Sequence, residues 1–377
     1  MTKREPSRTR QHSRLMRIAV VTGTRVVIGS VVLAVALSGC RGQTSTARST
    51  PAAPSTSGRG PAGQGPYTVA ATVAVEGGAF GLAVDPGTHT VYVASAGNTV
   101  SVIDGATRTV TATVPVGKGP VDLAVDPSTH TVYVASADNT VSVIDGATRT
   151  VTATVPVGEG PVDLAVDPST HTVYVTTGRG CANAGFCYGD GTISVIDGTT
   201  RAVAGTVSLR SDTTGLEVDP DTHTVYVSTL GGVSVIDGAT RTVTATVPVE
   251  GPHPGNLAVD PASHTIYVTA GDGVSVIDGA TRTVIATVPL HVASAHPYDL
   301  AVDPSTHTVY VTYDYNDTMS VIDGAARTVT ATVPFPSGRE TTHLLAVDPG
   351  NHTVYVTSPV YGTNQGNGTV LVIERRS

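Results

Sequence analysis

A unit of about 40 residues, written over and over, leaves a chain few ways to fold. Its clearest copy runs from Val121 to Pro161, VDLAVDPSTHTVYVASADNTVSVIDGATRTVTATVPVGEGP. The runs LAV, TVYV, VSVI and TVTATVPV are rich in β-branched residues and are separated by Asp-Pro, Asp-Asn and Asp-Gly turn signals. Each copy therefore reads as four short strands. The motif VDP marks the first strand at Asp85, Asp126, Asp167, Asp219, Asp260, Asp303 and Asp348, with an insertion between the third and fourth. H-T-V/I-Y-V marks the second at His89, His130, His171, His223, His264, His307 and His352. VID marks the third at Asp104, Asp145, Asp197, Asp237, Asp278 and Asp323, and as VIE at Glu374. The last copy ends without an outer strand, while TVAATVAV, Thr68 to Val75, matches TVTATVPV and precedes the first VDP. The expectation is an all-β, seven-bladed β-propeller of four-stranded antiparallel blades. The N-terminal strand would pair into the last blade and leave the ring no open end.

At this point the chain resembles the YVTN-type, YncE-like propeller repeats. Tyr174-Val175-Thr176, Tyr267-Val268-Thr269 and Tyr355-Val356-Thr357 carry the name motif, and SVIDGATRTV matches the third strand with its turn. The resemblance covers residues 67–377 and implies the fold. Members of that group serve mostly as extracytoplasmic proteins of undefined role. Neither a recurring Trp-Asp dipeptide nor a paired-glycine motif is present, which sets WD40 and kelch repeats aside.

The recurring polar residues have a structural reading. Each VDP acid can accept backbone N–H groups in its D-P-x-T-H turn, and each IDG supplies a hairpin turn. Arg108, Arg149, Arg201, Arg241, Arg282 and Arg327 follow their IDG acid by four residues and are expected to pair with it across the turn. The repeated His and Tyr are expected to pack blade on blade.

Residues 1–39 read as a lipoprotein signal peptide. Arginines precede the apolar run VVIGSVVLAVAL, which is too short for an ordinary membrane span. Leu37-Ser38-Gly39-Cys40 resembles a bacterial lipobox, which implies cleavage before Cys40 and lipid on that residue. Residues 40–66 are rich in Ser, Thr, Pro and Gly with almost no apolar bulk, and so read as a disordered tether. The expected address is the outer face of a bacterial cytoplasmic membrane. Residues 1–66 hold ten of the 22 basic residues and one of the 30 acidic ones, so residues 67–377 carry 12 against 29, a net of −17. Such a surface disfavours generic binding to nucleic acid.

The turns at the D-P-x-T-H and D-G-A-T-R end hardly vary, so individuality has to reside in the loops at the opposite end. Four features stand out there. An insertion carries Cys181 and Cys187, which outside the cell favour a disulfide; as C-x5-C they make a poor metal site. His253, His291, His296 and His343 precede inner strands and could converge on a metal or on acid–base chemistry, or be solvated loop residues. Asp122, Asp163, Asn256 and Asp299, beside Tyr298, start inner strands and suit a hard cation or a cationic ligand, or are solvated turn groups. Tyr313 and Tyr315, with Tyr361, suit contact with protein or carbohydrate, or are ordinary hairpin tips.

No nucleophile elbow, H-E-x-x-H helix, phosphate loop or haem-attachment motif occurs. The reading is a monomeric binding or scaffold module for a protein, carbohydrate or small-molecule ligand, with no cofactor unless a divalent metal. The alternatives are a lactonase-like hydrolase, an activity that propellers resembling this one can carry, using the histidine-bearing loops of blades five to seven with or without a metal and with Arg339, Glu340 and His343 at the channel mouth, and a purely structural envelope protein.

Overall fold

The computed structural model describes residues 66–376 except 179–190, 210, 252–253, 293–294, 336–342 and 359–367. Its 28 strands form seven four-stranded antiparallel sheets. Six are continuous in sequence and begin at the inner strands Gly81–Asp85, Pro120–Asp126, Pro161–Asp167, Thr213–Asp219, Leu257–Asp260 and Pro297–Asp303, which head blades 1 to 6. Blade 7 holds Leu345–Asp348, Thr353–Ser358 and Gly368–Arg375, and its outer strand is the N-terminal Tyr67–Val75. Thr68 lies opposite Glu374 and Val75 opposite Gly368, as the TVAATVAV match predicts. Each inner strand contacts the next, and Leu345–Asp348 contacts Gly81–Asp85, so the ring closes.

The core lies between blades. The second strands, T-V-Y-V, are buried on both faces because each blade is sandwiched by two others. One cluster joins Tyr133, Val141 and Val143 of blade 2 to Leu164, Val173, Val175 and Ile196 of blade 3. The outer strands face water: in blades 2 and 6 their first three residues are all exposed, and the second valine, Val155 or Val333, is the one buried.

The seams are latched by the repeat's own polar residues. Every VDP acid is buried, and one of its oxygens caps its own turn, as where the Gly87 N–H donates to Asp85 Oδ1 at 3.0 Å. The other oxygen accepts from the histidine of the next blade: His130 Nδ1 lies 2.7 Å from Asp85 Oδ2, and the remaining six pairs lie at 2.7–2.8 Å. The pair His89 and Asp348 latches blade 7 to blade 1. To reach across, each histidine takes a left-handed backbone conformation, φ +51 to +60°. A non-glycine residue held there costs about 1–3 kcal/mol, which is offset by satisfying a buried carboxylate that would otherwise cost a similar amount.

The arginine expectation is corrected. The turn acid's oxygen is already taken, Asp104 Oδ1 accepting from the Thr107 N–H at 2.7 Å and its hydroxyl at 3.0 Å. The arginine itself is left-handed, φ +57° at Arg108, and this sends its side chain across the seam. Arg108 pairs with Glu374, and Arg241 donates to the Ala204 carbonyl of the preceding blade at 2.6 Å. The IDG glycine is needed for close approach. A Cβ on Gly146 would lie 2.4 Å from the His130 carbonyl oxygen and 2.8 Å from the Tyr92 hydroxyl of blade 1. Burial there pushes the Tyr92 hydroxyl up to about 12.

Candidate functional site: an acidic channel under an apolar mouth

The inner strands are short and parallel to one another around the ring, so the residue preceding each L-A/E-V-D sequence recurs at one level of the central channel. In blades 2, 3, 5 and 6 these residues are Asp122, Asp163, Asn256 and Asp299, and all four line a cavity of about 470 Å³. Two residues deeper, six blades place an alanine and blade 4 places Glu217. Blades 1 and 4 carry Gly81 and Gly215 at the upper level. A Cβ on Gly215 would lie 3.0 Å from the Asn256 Cα, so the strands approach closely there.

The acids are fixed by the next blade's backbone. Asp122 Oδ2 accepts the Leu164 N–H at 3.3 Å, Asp163 Oδ2 the Leu216 N–H at 2.7 Å, and Asp299 Oδ2 the Leu345 N–H at 2.9 Å. The Asn256 side-chain amide donates to Asp299 Oδ1 at 3.0 Å. Glu217 Oε2 accepts only its neighbour's Val218 N–H among the described bonds, at 3.2 Å. No lysine, arginine or histidine is among the described residues lining the cavity.

Four carboxyls gathered in one cavity with no basic neighbour among its described lining resist ionisation. Burial is the leading cause for each. It raises Glu217 to about 7 and Asp299 to about 7, the charge of Asp122 adding to both. Asp163 is raised well above the usual range by burial and then by the neighbouring charge of Asp122, and Asp122 is raised by burial. The hydrogen bond that Asp122 and Asp163 share raises Asp163 further and partly offsets the effect of burial on Asp122.

Above this level a second hollow of about 450 Å³ opens, lined by Ala79, Phe80, Pro120, Val121, Tyr298 and Leu344 among others. It shares Phe80, Val121, Tyr298 and Leu344 with the acidic cavity, so the two adjoin. The arrangement is an apolar, partly aromatic mouth over an anionic throat.

Of the residues marked out in the sequence, the channel brings together Asp122, Asp163, Asn256, Tyr298 and Asp299. It does not bring together the three described histidines. His291 lies in a cleft with Arg327 and with Val329 of blade 6's outer strand, Thr328–Pro334. His296 is exposed, 3.6 Å from Asp272. His343 is fully buried, its Nδ1 donating to the Thr357 carbonyl at 2.6 Å and its Nε2 3.1 Å from Asp317 Oδ1, with Phe335 edge-on to the ring. Tyr313 is buried too, bonded to the Ser320 hydroxyl at 2.6 Å, whereas Tyr315 stands exposed at its hairpin tip. Cys40, Cys181, Cys187, His253, Arg339, Glu340 and Tyr361 lie outside the described residues. Glu217 was missed, although the signal was present: LEVD stands where every other copy reads LAVD.

Fold and site together define a seven-bladed β-propeller with a carboxylate-lined central channel. No protein-family description matches the chain, and no curated protein matches it. Among solved structures it is similar to hydrazine synthase of Kuenenia stuttgartiensis, at 21% identity over 80% of this chain and 96% of that one, with a TM-score of 0.65. At that identity the likeness speaks for the fold alone.

Proposed function

We propose that this protein is a binding module, tethered through lipid on Cys40 to the outer face of a bacterial cytoplasmic membrane, that receives a cationic organic ligand in its central channel. The observation that carries the reading is the set of Asp122, Asp163, Glu217 and Asp299 facing one cavity with no basic side chain among its described lining. A cation entering it would replace protons that burial now holds, and the apolar mouth with Phe80 and Tyr298 would receive the ligand's hydrocarbon part. An organic cation is favoured over a dehydrated metal ion here. Among the described residues no three channel carboxylates bring oxygens close enough to ligate one ion. The resemblance to YVTN-type repeats agrees with an extracytoplasmic role without naming a ligand.

Calorimetric titration with choline, a small quaternary ammonium, tests the reading. The protein is expected to bind it saturably at pH 8, and Glu217→Gln combined with Asp299→Asn to weaken it at least tenfold. Equal binding by the double variant would defeat the proposal.

A further inference from the structure

We infer that the seam between blades 4 and 5 holds a divalent transition-metal site made by Asp219, Asp221 and His264. All seven seams place a histidine Nδ1 against a buried VDP carboxylate, and at this one the separation is 2.8 Å. Two ligands at adjacent positions around one ion, each about 2.0–2.2 Å from it, stand about 3 Å apart, so the latch is already a half-built chelate. A third ligand distinguishes this seam. The residue two after the VDP acid is Gly87, Ser128, Ser169, Ala262, Ser305 or Gly350 in the other blades, and Asp221 in blade 4. Ligand atoms of Asp219, Asp221 and His264 all lie within 4.8 Å of one another, and this is the one such trio among the described residues.

The substitution also changes the chemistry of the corner. Where the residue is serine, its hydroxyl donates to the VDP acid, at 2.5 Å for Ser128 and Ser169 and 2.6 Å for Ser305, and it lies 3.2–3.4 Å from the histidine Nδ1. Asp221 has no proton to donate when ionised. It brings a second carboxylate to the place where six seams have a hydroxyl donor or nothing, and no lysine or arginine is paired with either acid among the described residues. Two carboxylates around one imidazole are a donor set for a first-row divalent ion such as zinc. Oδ1 of Asp219 accepts the Asp221 N–H at 3.1 Å, which fixes the carboxylate and leaves Oδ2 to the metal. On binding, the latch proton on His264 Nδ1 leaves to solvent and the ion takes its place between imidazole and carboxylate. Water completes the coordination, because Asp221 is exposed and the His264 side chain is 43% exposed.

The test is zinc titration of the chelator-stripped full chain by calorimetry, alongside Asp221→Ser, which restores the side chain of blades 2, 3 and 6 and should fold as they do. The wild type is expected to take up one equivalent and to melt higher with zinc present. Asp221→Ser should bind at least tenfold more weakly, and its melting point should not respond. The converse variant Ser169→Asp, beside Asp167 and His223, should add a second equivalent. A wild type that binds no zinc, or an Asp221→Ser variant that binds it as well as wild type, would overturn the inference.

Discussion

Replacing Glu217 by alanine should stabilise this protein in a way that depends on pH. Burial holds the Glu217 carboxyl at about 7 against an ordinary 4.5, so the folded protein binds the proton more tightly than the unfolded chain. Stability contributed by that proton is whole below pH 4.5 and drains away as pH rises to 7, after which the penalty is constant. A shift of this size corresponds to a ceiling of about 3.4 kcal/mol at 1.36 kcal/mol per unit. Glu217 is only partly buried, so solvent screening brings the expected value to about 2 kcal/mol. Alanine is the residue that the other six blades carry at this position, so no cavity or clash is expected. Urea unfolding at pH 4.5, 6, 7 and 8 measures the difference. Glu217→Ala should match wild type at the lowest pH and exceed it by about 2 kcal/mol at pH 8. A difference that is the same at every pH, or a destabilisation at pH 8, would refute the reasoning.

Three further outcomes follow from the seams. Gly146→Ala should destabilise by about 2 kcal/mol, since its Cβ meets the His130 carbonyl and the Tyr92 hydroxyl, and urea midpoints will show it. His130→Ala should cost about 1–3 kcal/mol by taking a donor from buried Asp85, and His89→Ala a comparable amount at the closure seam, where it would take a donor from buried Asp348. Acid should open the ring. Burial raises Asp126, Asp167 and Asp303, but hydrogen bonds from serine and histidine outweigh it and hold all three below 3.8. Their contribution is therefore present above that value and lost as pH falls through the lowered one, so far-ultraviolet circular dichroism should show unfolding below about pH 3.8.

The blades, their order and the closing strand were legible because a repeat states each element seven times, and the TVAATVAV match supplied the missing strand. The partners of the repeated polar residues were not. In an array of identical units, an arginine four residues after an acid has the same spacing whether it pairs within its turn or with the previous blade. The left-handed backbone at that position decides the matter, and it is invisible in sequence. The channel acids could be placed because inner strands of equal phase present equal positions to the axis. Glu217 escaped because it lies two residues deeper, outside the loops where individuality was sought. Tyr313 looked like a hairpin tip because the turn beyond it is short; the tip is Asp314-Tyr315, and Tyr313 turns inward to Ser320.

The central claim is that the channel selects positive charge. Calorimetry with choline and with its neutral isostere 3,3-dimethylbutanol, at pH 8 and pH 5.5, separates charge from shape. Choline should bind saturably at pH 8, at least tenfold more tightly than the isostere, and more weakly at pH 5.5, where burial keeps Glu217 and Asp299 protonated. Equal affinities for the two compounds, or choline binding that does not change with pH, would contradict it.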